Sequence, residues 1–214
     1  MLYIFGYGGF AREVNAFLRK EQSKYGVEFV VDDVYYKEDL DSFPIGIPYS
    51  RFIDYFDKEV DKITVAVGDP GDRWTIVRKL FGEDGLINYS SFPNLLLKKS
   101  VKGKCVKTLA DVGNIFCPGS VITTNVYIGA HNHFNLNTTI GHDCKIGSYN
   151  TFSPGVNISG NVTIGNNCYF GTNSSVRQGV KICDNVTIGM GAVVLNDITE
   201  PGTYVGVPCK KLSK

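Results

Sequence analysis

The chain has 214 residues and a formal net charge of +1, with 43% of residues hydrophobic and 20% charged. That is enough for one large or two small domains, and it disfavours a generally basic nucleic-acid binder. Charge is divided unevenly: residues 1–92 hold 11 Lys/Arg and 16 Asp/Glu (−5), and residues 93–214 hold 11 and 5 (+6).

Leu2–Phe5 is the longest apolar run near the start. It is too short for a signal-peptide core or a membrane span, and it reads as a first strand. Gly6-Tyr7-Gly8-Gly9-Phe10-Ala11 follows, then a helical pattern with Ala11, Val14, Phe17 and Leu18 on one face. Val27–Val31 is a second strand ending in Asp32-Asp33, and 51–56 a short helix. Ile63–Val67 is a third strand ending at Gly68-Asp69-Pro70; 71–81 is helical and 86–89 strand-like. Alternating strands and helices imply a parallel sheet. Gly6-x-Gly8-x-x-Ala11 matches the Gly-rich turn of a dinucleotide fold, with Asp32 near the position of the expected acid. The same turn also occurs where no ligand binds. Roughly 90 residues is half of a two-lobed dinucleotide domain, so a mononucleotide-sized ligand fits better than NAD. Asp32 and Asp33 are candidates for hydrogen bonds to a base or ribose, Gly68 lines the same crevice, and Arg73 is either a phosphate contact or a solvated helix residue.

Residues 91–112 read as a bridge between two domains, 1–92 and 93–214. Lys98, Lys99, Lys102, Lys104 and Lys107 read there as an exposed edge that blunts strand pairing.

The second half is a repeat. Every sixth residue from Ile128 to Val194 is branched aliphatic or Phe, twelve positions without a slip, and Ile122 and Phe116 extend the series backwards. Gly follows that position at 129, 141, 147, 165, 171 and 189. Two residues before it the side chain is usually small or β-branched. A short strand puts residues i and i−2 on one face, and a sharp turn must follow, which Gly and Asn tolerate at positive φ. Three six-residue sides close a triangular coil, the hexapeptide β-helix, with coils about 4.8 Å apart. The run 116–194 predicts about four to five coils. With no insertion in it, a site must lie on the prism faces or between subunits.

Six cysteines without a CxxC pair argue against a zinc knuckle and read as reduced cytoplasmic thiols. Among three histidines, His131 and His133 are offset from His142 by about half a coil, so the three do not converge on a metal within one chain. His131 and His133 read as surface or interface residues. His142 precedes Asp143, and a carboxylate partner orients an imidazole base and raises its basicity. One coil on lies Gly160, whose missing side chain lets a ligand approach and whose N–H suits a carbonyl oxygen.

The Gly-turn domain, the repeat with its His-acid pair (140–147, IGHDCKIG) and the ending 202–210 (GTYVGVPCK) together resemble the sugar-nucleotide acetyltransferases of the PglD, PerB and NeuD type. The resemblance covers essentially the whole chain. It implies a small Rossmann-like α/β domain followed by a left-handed parallel β-helix in a cytoplasmic homotrimer that uses acetyl-CoA and no metal. By the same resemblance the acceptor would be the amine, at C4, of a nucleotide-linked deoxy-sugar. His142 would be the general base and Asp143 its partner, while the Gly160 N–H would hold the thioester carbonyl. Thr151, Thr172 and Met190 would touch acetyl-CoA; close relatives have His at the Thr151 position. Gly8, Gly9, Phe10, Asp32, Asp33 and Gly68 would hold the nucleotide sugar; many relatives have His at the Phe10 position. Lys210 and Lys211 are candidates for the CoA phosphates. The rival readings are an O-acetyltransferase for a sialic-acid-like hydroxyl and a non-catalytic sugar-nucleotide scaffold. Nucleic acid and membrane insertion are not expected.

Overall fold

The computed structural model describes residues 1–24, 26–36, 46–81, 89–108 and 112–213. The N-terminal unit comprises β1 (Leu2–Phe5), α1 (Gly9–Ala16), α2 (Lys20–Ser23), β2 (Val27–Val31), β3 (Ile47–Pro48), α3 (Tyr49–Tyr55), β4 (Lys62–Val65) and α4 (Pro70–Phe81). Its four strands are parallel in the order β3-β2-β1-β4, which is the first four of the six strands in the dinucleotide-fold order. The strand expected at 86–89 falls largely outside the described residues, and Tyr89 instead opens a 3-10 turn to Ser91.

Alternation along the strands gives the sheet two buried faces. Tyr3, Phe5, Val30, Ile63 and Val65 pack with Phe52 of α3 and Val77 and Leu80 of α4. On the other face Leu2, Ile4 and Phe29 pack with Ala11 and Val14 of α1. That second core continues into Leu95, Leu97, Ile115 and Cys117 of the next domain. Phe17, expected on the apolar face of α1, lies past the helix end and is 37% exposed.

The C-terminal unit is a left-handed triangular β-helix whose short strands stack into sheets of eight, six and five strands, parallel apart from the last pair of the eight. All twelve period-six positions from Ile128 to Val194 are buried. The rings of Phe116, Phe134, Phe152 and Phe170 stack on one another at 4.9–5.0 Å, with interplanar angles of 6–11°. Asn114, Asn132 and Asn150 form a buried ladder: each side-chain oxygen accepts from the backbone N–H eighteen residues on, ending at Cys168.

Two expectations are corrected here. The stretch 91–112 is not simply a bridge. Leu95–Leu96, Val101–Lys102 and Lys107–Thr108 are the first strands of the three sheets. That coil steps by 20 residues (Leu95↔Ile115) where later ones step by 18 (Ile115↔His133), so it falls out of the period. The glycines that follow the apolar column are not the left-handed corners either. Positive φ recurs every six residues from Gly113 to Gly191, at positions that include Asn125, His131, Asn137, Asp143, Tyr149 and Asn161. Gly141 is needed for another reason: a Cβ there would lie 2.6 Å from the Gly160 nitrogen of the next coil.

Candidate active site

His142 stands on the prism edge between the six-stranded and five-stranded sheets, after Thr139–Ile140 and before Lys145–Ile146. Its neighbour Asp143 occupies the left-handed corner at φ 60°, a conformation Asp tolerates better than most residues. The Asp143 carboxylate lies 2.7 Å from His142 Nδ1, and both side chains are about half exposed (53% and 52%). That bond, then one from Asn125, holds the Asp143 carboxyl below its ordinary pKa. An ionised carboxylate accepts a hydrogen bond from Nδ1–H, and in that tautomer the Nε2 lone pair is available as a base. The ring lies over Gly160, where a Cβ would sit 2.6 Å from Cε1 and Nε2. The Gly160 N–H donates to no acceptor among the described residues. A base and an unused backbone donor therefore share one notch.

The N-terminal unit holds a cleft of about 560 Å³ lined by residues that include Gly6, Gly8, Asp32, Val67, Thr75 and Ile76. Gly6 is the glycine its turn requires, with φ 119° and the Ala66 carbonyl 2.9 Å from where a Cβ would lie. Around Gly8 the space is open, as an approaching ligand needs. Asp32 caps the following 3-10 turn and pairs with Lys79 at 2.8 Å, which lowers its pKa. Tyr7 and Tyr35 also line the cleft, and neither was read from the sequence as a site residue. Tyr35 lies in the run straight after Asp32-Asp33.

The other expected nucleotide residues have protein partners. The Asp33 carboxylate accepts from Ser50 N and Oγ at 3.0 and 2.9 Å. Phe10 packs its ring on His133 at 4.9 Å. The Gly68 carbonyl accepts from Thr151 Oγ1 at 2.6 Å. Gly9, first residue of α1, is exposed.

Arg73 is neither a phosphate contact nor a solvated residue. It is fully buried between the two units. Its Nε donates to the His131 carbonyl at 2.9 Å, and one terminal nitrogen donates to the Val67 carbonyl at 2.7 Å and to His133 Nδ1 at 3.2 Å. The other donates to Thr151 Oγ1 at 3.0 Å. Burial pulls the guanidinium down to about 9, so it stays charged at neutral pH. As the acceptor of that bond, His133 Nδ1 is unprotonated. His131 and His133 are each 1% exposed. Burial, then Arg73, lowers His131 to about 3 and His133 well below its ordinary value. Both are neutral seam residues. Thr151 is bound into the same seam, whereas Thr172 and the 82%-exposed Met190 stand on the edge between the eight- and six-stranded sheets. One chain therefore does not gather Thr151, Thr172 and Met190 around His142. Lys211 pairs with Glu200 at 2.8 Å, and Lys210 is exposed.

Two family models match this architecture: the PglD N-terminal domain over residues 1–80, and the hexapeptide repeat of succinyl-transferase over 161–196. This chain thus carries a region similar to the PglD N-terminal domain followed by hexapeptide repeats. Several solved structures resemble it along its full length. WeeI from Acinetobacter baumannii AYE has a TM-score of 0.85 and 29% identity, covering 99% of both chains. The acetyltransferase domain of PglB from Neisseria gonorrhoeae FA1090, in complex with acetyl coenzyme A, has a TM-score of 0.81 and 26% identity over 99% of this chain and 98% of that one. PerB from Caulobacter crescentus, in complex with CoA and GDP-perosamine, shares the fold at a TM-score of 0.83 and 23% identity over 99% and 97%. A curated relative, GDP-perosamine N-acetyltransferase of Escherichia coli O157:H7, is 42% identical over 53 residues. That match spans 25% of this chain and 24% of the relative.

Proposed function

We propose that the chain transfers acetyl from acetyl-CoA to the amino group, at C4, of a nucleotide-linked amino-deoxy sugar. The observation that carries this is the His142–Asp143 pair over Gly160, a base with its Nδ1 held at 2.7 Å beside a free backbone donor. The relatives' own ligands support the reading: acetyl coenzyme A for the PglB domain, CoA and GDP-perosamine for PerB.

In this mechanism the sugar amine attacks the thioester carbonyl. The C–N bond forms, and the oxygen takes up negative charge against the Gly160 N–H. His142 Nε2 removes the ammonium proton, and Asp143 stabilises the resulting imidazolium. Collapse breaks the C–S bond, and the imidazolium returns its proton to the departing thiolate. No residue becomes acetylated.

The nucleotide sits in the Gly8–Asp32 cleft. The N-terminal unit covers the outer face of the eight-stranded sheet, where His133 and Thr151 lie, while His142 is on the opposite edge of the triangle. The sugar therefore meets His142 of a neighbouring copy, which fits a homotrimer with CoA held between adjacent prisms, near Thr172 and Met190. Six free cysteines suit a reducing cytoplasm. A CoA-release assay with nucleotide-linked amino sugars against hydroxyl acceptors tests the reading. Turnover of amino sugars alone is expected, and turnover of hydroxyl acceptors alone would make the chain an O-acetyltransferase. Failure to bind acetyl-CoA would leave a sugar-nucleotide scaffold.

A further inference from the structure

The lysine run has no part in the proposed chemistry, and its place in the fold gives it another use. Lys98, Lys99, Lys102, Lys104 and Lys107 lie on the first coil, whose strands end all three sheets. Residues 98–108 contain no acid, and none of the five lysines forms an ion pair among the described residues. Lys99 holds a left-handed corner at φ 65°, where later coils mostly use Asn or Gly. Lys102 occupies the slot in register with Ile122 of the apolar column. Charge at this end therefore replaces residues that the repeat would otherwise favour.

Apolar side chains are exposed beside this charge. Val101, between the lysines, is 55% exposed. The α1–α2 junction adjoins the same coil: the Phe17 carbonyl accepts from Lys98 N at 3.0 Å, and Arg19 donates to the Leu97 carbonyl at 3.4 Å. Phe17 is 37% exposed there, and Lys20, followed by Glu21, is exposed three residues on.

We propose that this end of the prism docks on an anionic phospholipid surface, lysines against the phosphates and Phe17 and Val101 into the headgroup boundary. Clustered lysines are drawn to a negative leaflet, and a few apolar side chains add short-range insertion. Edge protection alone needs charge of either sign. Bilayer docking needs positive charge, and this difference makes the proposal testable.

The test is co-sedimentation of the full chain with vesicles of equimolar phosphatidylglycerol and phosphatidylcholine, and with pure phosphatidylcholine, at low ionic strength. Binding to the first and not the second is expected, released by salt through screening. The triple variant Lys98→Glu, Lys99→Glu, Lys104→Glu keeps the edge charged, so unchanged elution and melting are expected. Its partition should fall at least about a hundredfold. Phe17→Ser should weaken binding by a smaller factor. Equal partition of wild type and triple variant would overturn the proposal. So would binding to a soluble polyanion such as polyphosphate with no binding to anionic vesicles.

Discussion

The free edge of the prism and the seam across the triangle from it use the same residue type in opposite ways. His142 is about half exposed, with a carboxylate on Nδ1 and Nε2 over Gly160. His131 and His133 are buried against Arg73, and both are held neutral. A six-residue corner presents a side chain to whatever lies outside it. Around His142 that is solvent; around the corner residue His131, and around His133 on the adjoining strand, it is the N-terminal unit. Exposure of these imidazoles follows from which side of the triangle is covered, not from proximity in the chain.

The largest expected effect is on the free edge. His142→Ala should lower kcat/KM by about 10²–10⁴-fold, the range for loss of a general base, with melting unchanged. Asp143→Asn should fall between that variant and wild type. Gly160→Ala puts a methyl 2.6 Å from the imidazole, so it should also lose activity without unfolding. Full activity in His142→Ala would remove the distinction between edge and seam.

In the seam the effect is on stability. Arg73→Leu leaves the carbonyls of Val67 and His131 and the Thr151 hydroxyl without their donor, at a cost of at least about 3 kcal/mol in urea unfolding. The two units share one apolar core, so a single transition that splits into two would be the signature of lost docking. A loss under about 1 kcal/mol would mean that the apolar contacts alone hold the units together.

Acid tests the same comparison. His131 is lowered to about 3 in the folded chain, against 6.5 for an ordinary histidine. Between these values the unfolded chain binds the extra proton, so stability falls as pH drops through that window and is unaffected by this group above it. The slope reaches about 1.4 kcal/mol per pH unit for each fully depressed histidine. His131→Asn should remove its share of that slope. An unchanged slope would place the acid sensitivity elsewhere.

How much of this was legible in the sequence depends on symmetry. Each coil repeats the one below, so the period-six column could be read off, and every one of its twelve positions is buried. The first coil escaped because it is two residues longer and carries Lys102 and Thr108 in interior slots. The role of the glycines escaped because period alone does not separate a left-handed corner from a close approach. His142–Asp143 was legible as adjacent residues on a corner. Arg73 was not: its partners His131, His133 and Thr151 lie 58, 60 and 78 residues away, with no period linking them.

The smallest effect tests whether the prism is as interchangeable as its period implies. Phe134 and Phe152 each have a stacked ring above and below, whereas Phe116 has Leu96 beneath it and Phe170 has Ile188 above. A stacked pair contributes about 0.5–1.5 kcal/mol beyond burial. Phe134→Leu and Phe152→Leu should therefore cost equal amounts, each more than Phe116→Leu or Phe170→Leu by about one stack. Combining the two central changes removes three stacks, where the single changes sum to four. The double variant should thus be less destabilised than the sum by about 0.5–1.5 kcal/mol. Strict additivity would show that the rings act as separate fillers of equal slots. A shortfall of one stack would make the column a connected unit, unlike the seam, where one arginine links partners from both domains.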